Sequence, residues 1–121
     1  MLRVVAALIV RDAGVLLVSK RAAPDVYYLP GGKPEPGESH AACLQRELRE
    51  ELDVVPLRLR HFAEVHSPAA LEPATMHMTV YRTDVEGVPA PAAEIASMLW
   101  WRPDRRVTLA PAVRHHVLPL L

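Results

Sequence analysis

The sequence predicts a single-domain α/β sandwich, and three observations carry that prediction. Aliphatic and β-branched runs flank one strongly patterned helix. The 121 residues are enough for one domain with its own core, with no room for a second. A hydrophobic content of 50% argues for an ordered globule rather than a disordered chain.

Met1 to Val10 and Val15 to Lys20 are two such runs separated by the turn signal Asp12-Ala13-Gly14, so they predict a β-hairpin. Tyr27 to Leu29 predicts a short strand leading into a Pro30-Gly31-Gly32 turn. Two prolines and a glycine between Lys33 and Gly37 leave a loop, and Ser39 is a plausible helix N-cap. Ala41, Leu44, Leu48 and Leu52 then recur at i, i+3, i+7 and i+11, an apolar stripe expected to face the core while the helix glutamates lie off it. After Pro56, Leu57 to Val65 and Met76 to Val85 alternate apolar with polar residues around a loop rich in Pro and Ala. Met98 to Trp101 predicts another short strand, and Ala110 to Leu118 a final helix with Pro111 in its first turn. No repeat, low-complexity tract or linker interrupts this order.

Charge narrows the function. With 14 basic and 14 acidic side chains the formal net charge is zero, so nothing suggests general attraction to a nucleic-acid backbone or an anionic membrane, and a small substrate is expected. The single Cys43 cannot form an internal disulfide, which fits a reducing cytoplasm, and its place on the helix predicts buried packing. The N-terminal apolar run is interrupted by Arg3 and followed by Arg11 and Asp12, so it resembles neither a membrane span nor a signal peptide. A cytoplasmic location is the expectation.

The chemistry concentrates between Gly32 and Val54. At about 100° per residue, Glu47, Glu50 and Glu51 share one helical face. Glu47 and Glu51 are like charges at i, i+4, and Glu50 and Glu51 sit near the C-terminal end, where the helix dipole disfavours anions. Such local conflict is expected where function outweighs stability, and a hard divalent cation with its preference for carboxylate oxygen relieves it.

The spacing of this stretch resembles the Nudix box, G-x5-E-x7-R-E-U-x-E-E-x-G-U with U apolar. Gly32, Glu38, Arg46, Glu47, Leu48, Glu50, Glu51 and Val54 meet eight of its nine defined positions. Asp53 stands where the family has a second glycine, a position that reads as a left-handed helix C-cap, which Asp tolerates better than most residues. By its residues the chain is similar to MutT-like Nudix hydrolases. The resemblance implies one Nudix domain over residues 1–121 with the box at 32–54, folded as an α/β/α sandwich around a mixed β-sheet.

It also implies site residues. Glu47, Glu50 and Glu51 would ligate Mg2+, with Mn2+ as a possible substitute, and the carbonyl of Gly31 would be a further ligand. Arg46 would pair with Glu38 or Glu47 and hold the carboxylates in place. Glu94 stands where such enzymes carry an extra ligand or general base; Glu86 competes for that role, and Glu50 or Glu51 could themselves take the proton from water. Lys20 and Arg21 at the end of the second strand, and Lys33, are the candidates for substrate phosphate. Tyr27 either stacks on a base or packs in the core. Of Trp100 and Trp101, which alternate across a strand, one should be core and the other could face the pocket. His66 and His77 are candidates for lining a cleft, but the six histidines show no zinc-ligand spacing.

The implied activity is hydrolysis of a nucleoside diphosphate linked to another group. A nucleoside triphosphate pyrophosphohydrolase is favoured, since 31 residues before the box leave little room for the extra N-terminal strands common in ADP-ribose hydrolases. ADP-ribose or dinucleoside polyphosphate hydrolysis, and a catalytically silent nucleotide-binding sensor, are the alternatives. The expected partner is a small nucleotide, without nucleic acid or membrane, and the expected state is monomer or homodimer.

Overall fold

A computed structural model describes residues 1–69 and 73–121. Among them the strands are β1 (Leu2–Leu8), β2 (Val10–Arg11), β3 (Gly14–Lys20), β4 (Ala23–Tyr28), β5 (Gly31–Gly32), β6 (Val55–Pro68), β7 (Thr75–Glu86), β8 (Ile95–Trp101) and β9 (Thr108–Leu109), with helix α1 (His40–Leu52) between β5 and β6. One sheet has the order β5-β1-β7-β6 and is mixed, because β1 runs parallel to β7 while its other pairs are antiparallel. The second centres on β3, which pairs with β2, β4 and β8; β9 joins β4 in parallel.

The predicted N-terminal hairpin is therefore mostly a parting of two strands. Only Val10 and Arg11 fold back on Val15 and Gly14, through a turn whose central residues Asp12 and Ala13 both have positive φ, as a type I′ turn requires. The preceding stretch pairs instead with β7, from Leu2 opposite Met76 to Leu8 opposite Arg82. The reason is burial on both faces. Val5, Ala7 and Ile9 enter the hydrophobic cluster shared with α1, while Ala6 and Leu8 enter a second cluster on the opposite side. A strand apolar on both faces belongs inside a sheet, not at its edge.

The second cluster is closed by Ala110, Ala112, Val113 and Val117 of the C-terminal helical segment. This gives the α/β/α layering. The segment is helical where expected but not a regular α-helix: after an α-type bond from the Arg114 N–H to the Ala110 carbonyl (3.0 Å) it widens into a π turn over Val113–Val117 and tightens into a 3-10 turn over Leu118–Leu120.

Strands β6 and β7 extend beyond the predicted limits, and residues 70–72 of the Pro/Ala-rich loop between them lie outside the described residues. Among the described residues no helix is long and apolar enough to cross a membrane.

Candidate active site

Both ends of α1 are built as its sequence requires. Ser39 has extended φ and ψ, and its hydroxyl accepts from the Ala42 N–H (3.1 Å). At the other end Asp53 adopts φ 54°, ψ 43°, its N–H bonds the Arg49 carbonyl (3.1 Å), and Val54 reaches back to Leu48 (3.4 Å). Asp thus occupies the left-handed position that the family fills with glycine.

The buried face of the helix differs from the predicted stripe. Leu44, Leu48 and Leu52 are buried as expected, but Ala41 points to solvent, and Cys43 and Glu51 share the inner face. Glu51, expected off the stripe, is 1% exposed. Its Oε1 accepts from the Gly31 N–H (3.0 Å), while its Oε2 is buried with no hydrogen-bond partner. Burial pushes its carboxyl up to about 8, against the opposing pull of the Gly31 N–H; the nearby charge of Glu47 adds to the rise. An orphaned, buried carboxylate oxygen is costly to leave as it stands. It fits a cation ligand.

Two further carboxylates meet it. Glu47, Glu51 and Glu94 each offer an oxygen within 4.8 Å of the other two. Glu47 is raised by its own burial, partly offset by Arg46. Glu94 arrives from the turn before β8, which is tied to the end of β3 by a bond from the Arg21 N–H to the Glu94 carbonyl (2.8 Å). Glu50 lies outside this trio, exposed, with Oε2 3.8 Å from Arg46. Glu86, the competitor of Glu94, ends β7 and pairs with Val55.

Arg46 pairs with both of its possible partners. Its Nε and Nη2 grip Glu38 at 2.9 and 2.8 Å, its Nη1 binds Glu47 Oε1 at 2.7 Å, and Nη2 also reaches the Lys33 carbonyl at 3.2 Å. This fork holds the Glu38 carboxyl down to about 2 and ties the loop before α1 to the face that bears Glu47.

The two glycines permit the close approach. A Cβ on Gly32 would fall on the Glu47 carboxylate, and one on Gly31 would strike the carbonyl of Val5 across the β1–β5 pairing. Gly31 also has φ +148°, which L side chains rarely adopt. Cys43 is buried, donates to the Gly32 carbonyl at 3.7 Å, and has its thiol pushed up to about 11 by burial, so it packs as expected and is not a poised nucleophile.

Beside the trio lies a cavity of about 330 Å³. Both lysines of the chain, Lys20 and Lys33, line it with Gly31, Gly32, Glu47 and Glu94, and the rest of its wall is largely apolar, including Val4, Leu29, Met76 and Met78. Lys20 sits 4.0 Å from Glu94 and 5.3 Å from the Tyr28 ring centre.

Arg21 is turned elsewhere: its Nε binds the Ala93 carbonyl (3.1 Å), so it braces the turn carrying Glu94. Tyr27 does not line the cavity: it packs against the second cluster with its hydroxyl on Ser97 Oγ (2.7 Å), while its neighbour Tyr28 lines the wall. Strand alternation says that adjacent tyrosines diverge, but not which one turns inward. Neither tryptophan lines this cavity: Trp100 packs on the α1 side, and Trp101 lines a shallow basic cleft near the C-terminus.

A family model of the NUDIX domain matches residues 1–121. The chain is 34% identical over 100 residues to a putative 8-oxo-dGTP diphosphatase 2 of Mycobacterium tuberculosis, covering 80% of this chain and 70% of that protein. It is 47% identical over 57 residues to the CTP pyrophosphohydrolase of Escherichia coli, a match that covers 45% of this chain and 42% of that enzyme's length. Among solved structures, the E. coli ORF135 protein superimposes with a TM-score of 0.74 at 31% identity, over 93% of this chain and 82% of that one. A MutT Nudix hydrolase from Burkholderia pseudomallei does so with 0.72 at 27% identity, over 82% and 81%. The box, the mixed sheet around it and a family match that runs the whole length place this chain in the Nudix hydrolase family, among its MutT-like members.

Proposed function

We propose that the protein is a divalent-metal-dependent nucleoside triphosphate pyrophosphohydrolase, in which water adds across a phosphoric anhydride to give a nucleoside monophosphate and pyrophosphate. The observation that carries this reading is the trio of Glu47, Glu51 and Glu94, one of them buried with an orphaned oxygen, beside a cavity that holds both lysines.

Glu47, Glu51 and Glu94 would hold the ion, with the Gly31 carbonyl and Glu50 as further ligands by resemblance, and an all-oxygen set suits Mg2+ or Mn2+. A divalent ion bound there supplies charge neutralisation at phosphate oxygens and a more acidic bound water. The chain's own residues do the rest. Lys20 and Lys33 take up negative charge of the triphosphate, and Glu38, through Arg46, keeps Glu47 aimed at the site. Apolar wall residues beside the trio exclude water from around the reacting groups. The relatives' names, a CTP pyrophosphohydrolase and an 8-oxo-dGTP diphosphatase, support a nucleotide substrate. A cytoplasmic enzyme acting on a small nucleotide, without nucleic acid or membrane, fits the balanced charge.

The test is a substrate panel with purified protein and Mg2+: normal and oxidised nucleoside triphosphates, ADP-ribose, dinucleoside polyphosphates and nucleotide sugars. Pyrophosphate release from triphosphates, abolished by chelator, is the expected result. Turnover confined to nucleoside diphosphates linked to another moiety would replace the triphosphate reading, and binding without turnover would favour a sensor.

A further inference from the structure

The cavity beside the metal trio is polar in one part only. Glu47 and Glu94 of the trio line it with Lys20 and Lys33, and Tyr28 adds wall surface while its hydroxyl is itself buried without a partner. Among the described residues, every other side chain on the wall is apolar.

Two strands make most of this apolar part, and their register explains it. Leu2 lies opposite Met76 and Val4 opposite Met78 on the parallel β1–β7 pair, and all four line the cavity. The polar residues between them, Arg3 and His77, are themselves a register pair and do not line it. Side chains alternate along a strand, so both point to the other face, where His77 stacks on His66 with ring centres 4.5 Å apart. The start of the C-terminal segment adds only Ala110, Ala112 and Val113. Backbone groups nearby are engaged: the Tyr27 carbonyl accepts from the Ala110 N–H (2.8 Å) and the Pro30 carbonyl from the Ala7 N–H (2.9 Å).

Building on the triphosphate reading, we propose that this cavity is the base pocket and that it holds purine and pyrimidine rings, normal or oxidised, by apolar contact without reading their hydrogen-bonding edges. Leu2, Val4 and Met76 are only half-buried, so a ring laid on them keeps water at its edges and its polar groups are not stranded. Methionine suits the task, because its flexible, polarisable thioether adapts to rings of different shape and makes favourable contacts with aromatic groups. Oxidation of guanine at C8 exchanges a C–H for a carbonyl and turns N7 from acceptor to donor. The apolar wall offers no side-chain partner, among the described residues, that would single out either change. A site that pairs with a polar edge rejects the wrong partner by about 10⁴–10⁵-fold, whereas an apolar wall discriminates by only about 10–200-fold.

Turnover and binding of the whole chain, read side by side, test this. kcat/KM is measured with Mg2+ on ATP, GTP, CTP, UTP, dGTP and 8-oxo-dGTP, and calorimetry follows binding of the non-hydrolysable α,β-imido analogues of ATP, GTP, CTP and UTP. Each set should spread by less than about 100-fold. Met76→Ala and Val4→Ala, each checked for folding by circular dichroism, should weaken all four analogues by a common factor of roughly tenfold, and should not weaken inorganic tripolyphosphate, which has no base. A preference above about 1,000-fold for one base, a loss in the variants confined to one base, or an equal loss for tripolyphosphate would overturn the pocket and leave the triphosphate reading standing. Failure of all four analogues to bind would overturn the pocket as well. Like affinity for all four with no pyrophosphate released from any triphosphate would support the pocket and overturn the triphosphate reading instead.

Discussion

Glu51 and Glu64 carry the same carboxyl group in opposite surroundings. Glu51 is buried on the inner face of α1, receives one backbone N–H, and is pushed up to about 8 by burial. Glu64 stands on an exposed ribbon between His61, His77 and Thr79, and those partners, His61 foremost, pull it down to about 2. Solvent and the number of donors, not the residue, set how readily each holds its charge. The difference separates a group left short of partners, ready for a hard cation, from one that the protein already satisfies.

The sharpest way to break the contrast is Glu51→Gln. The substitution keeps size and hydrogen bonding while removing a charge from the trio, so activity at saturating Mg2+ should fall by about 100-fold or more. In chelator, unfolding should show the variant as stable as wild type or more so, increasingly as pH rises through about 8, because Gln cannot take on the charge that burial and the neighbouring Glu47 disfavour at this position. Retained activity would remove Glu51 from the site.

Lys20 and Arg21 extend the comparison to neighbouring cations, one lining the cavity and one bound to the Ala93 carbonyl. Lys20→Ala should lower kcat/KM by roughly 10-fold. Arg21→Ala acts only through the turn that carries Glu94 and should lower it less. The reverse order would mean that Arg21 swings to the phosphates.

Asp53→Gly tests the cap. Glycine relieves the left-handed strain and removes an anion from the helix C-terminus, so Tm should rise by what about 1 kcal/mol or less produces, with turnover nearly unchanged. A large gain in turnover would instead show that Asp53 detunes the site.

The smallest effect concerns Glu64 and acid. Its carboxyl is lower in the folded chain, about 2, than the ordinary 4.5, so its contribution to stability is complete above about 4.5 and is lost as pH falls through about 2. Glu64→Gln should flatten that part of the acid unfolding curve, modestly, because a side chain 41% exposed is screened by water. An unaltered curve would show that the histidine contacts do not hold Glu64 charged.

What the sequence by itself determined was local. Ser39, the leucines at 44, 48 and 52, and Asp53 specify where α1 starts, which way it packs and how it stops, since capping and helical period depend on residues within a few positions of one another. The box offsets likewise placed Glu47 and Glu51 one turn apart, and Arg46 within reach of Glu38. Everything that needed a partner far along the chain was decided by tertiary structure. Strand β1 chose β7, more than 70 residues away, over the nearby β3 because its run is apolar on both faces. Glu94 reached the trio only because β8 pairs with β3, and the same pairing gave Arg21 the Ala93 carbonyl. The grip of His61 and His77 on Glu64 was hidden by an irregularity in register that turns an odd spacing into one shared face. Side-chain direction in a strand reverses with every one-residue slip, so such convergence is set by pairing between strands and is invisible in either strand alone.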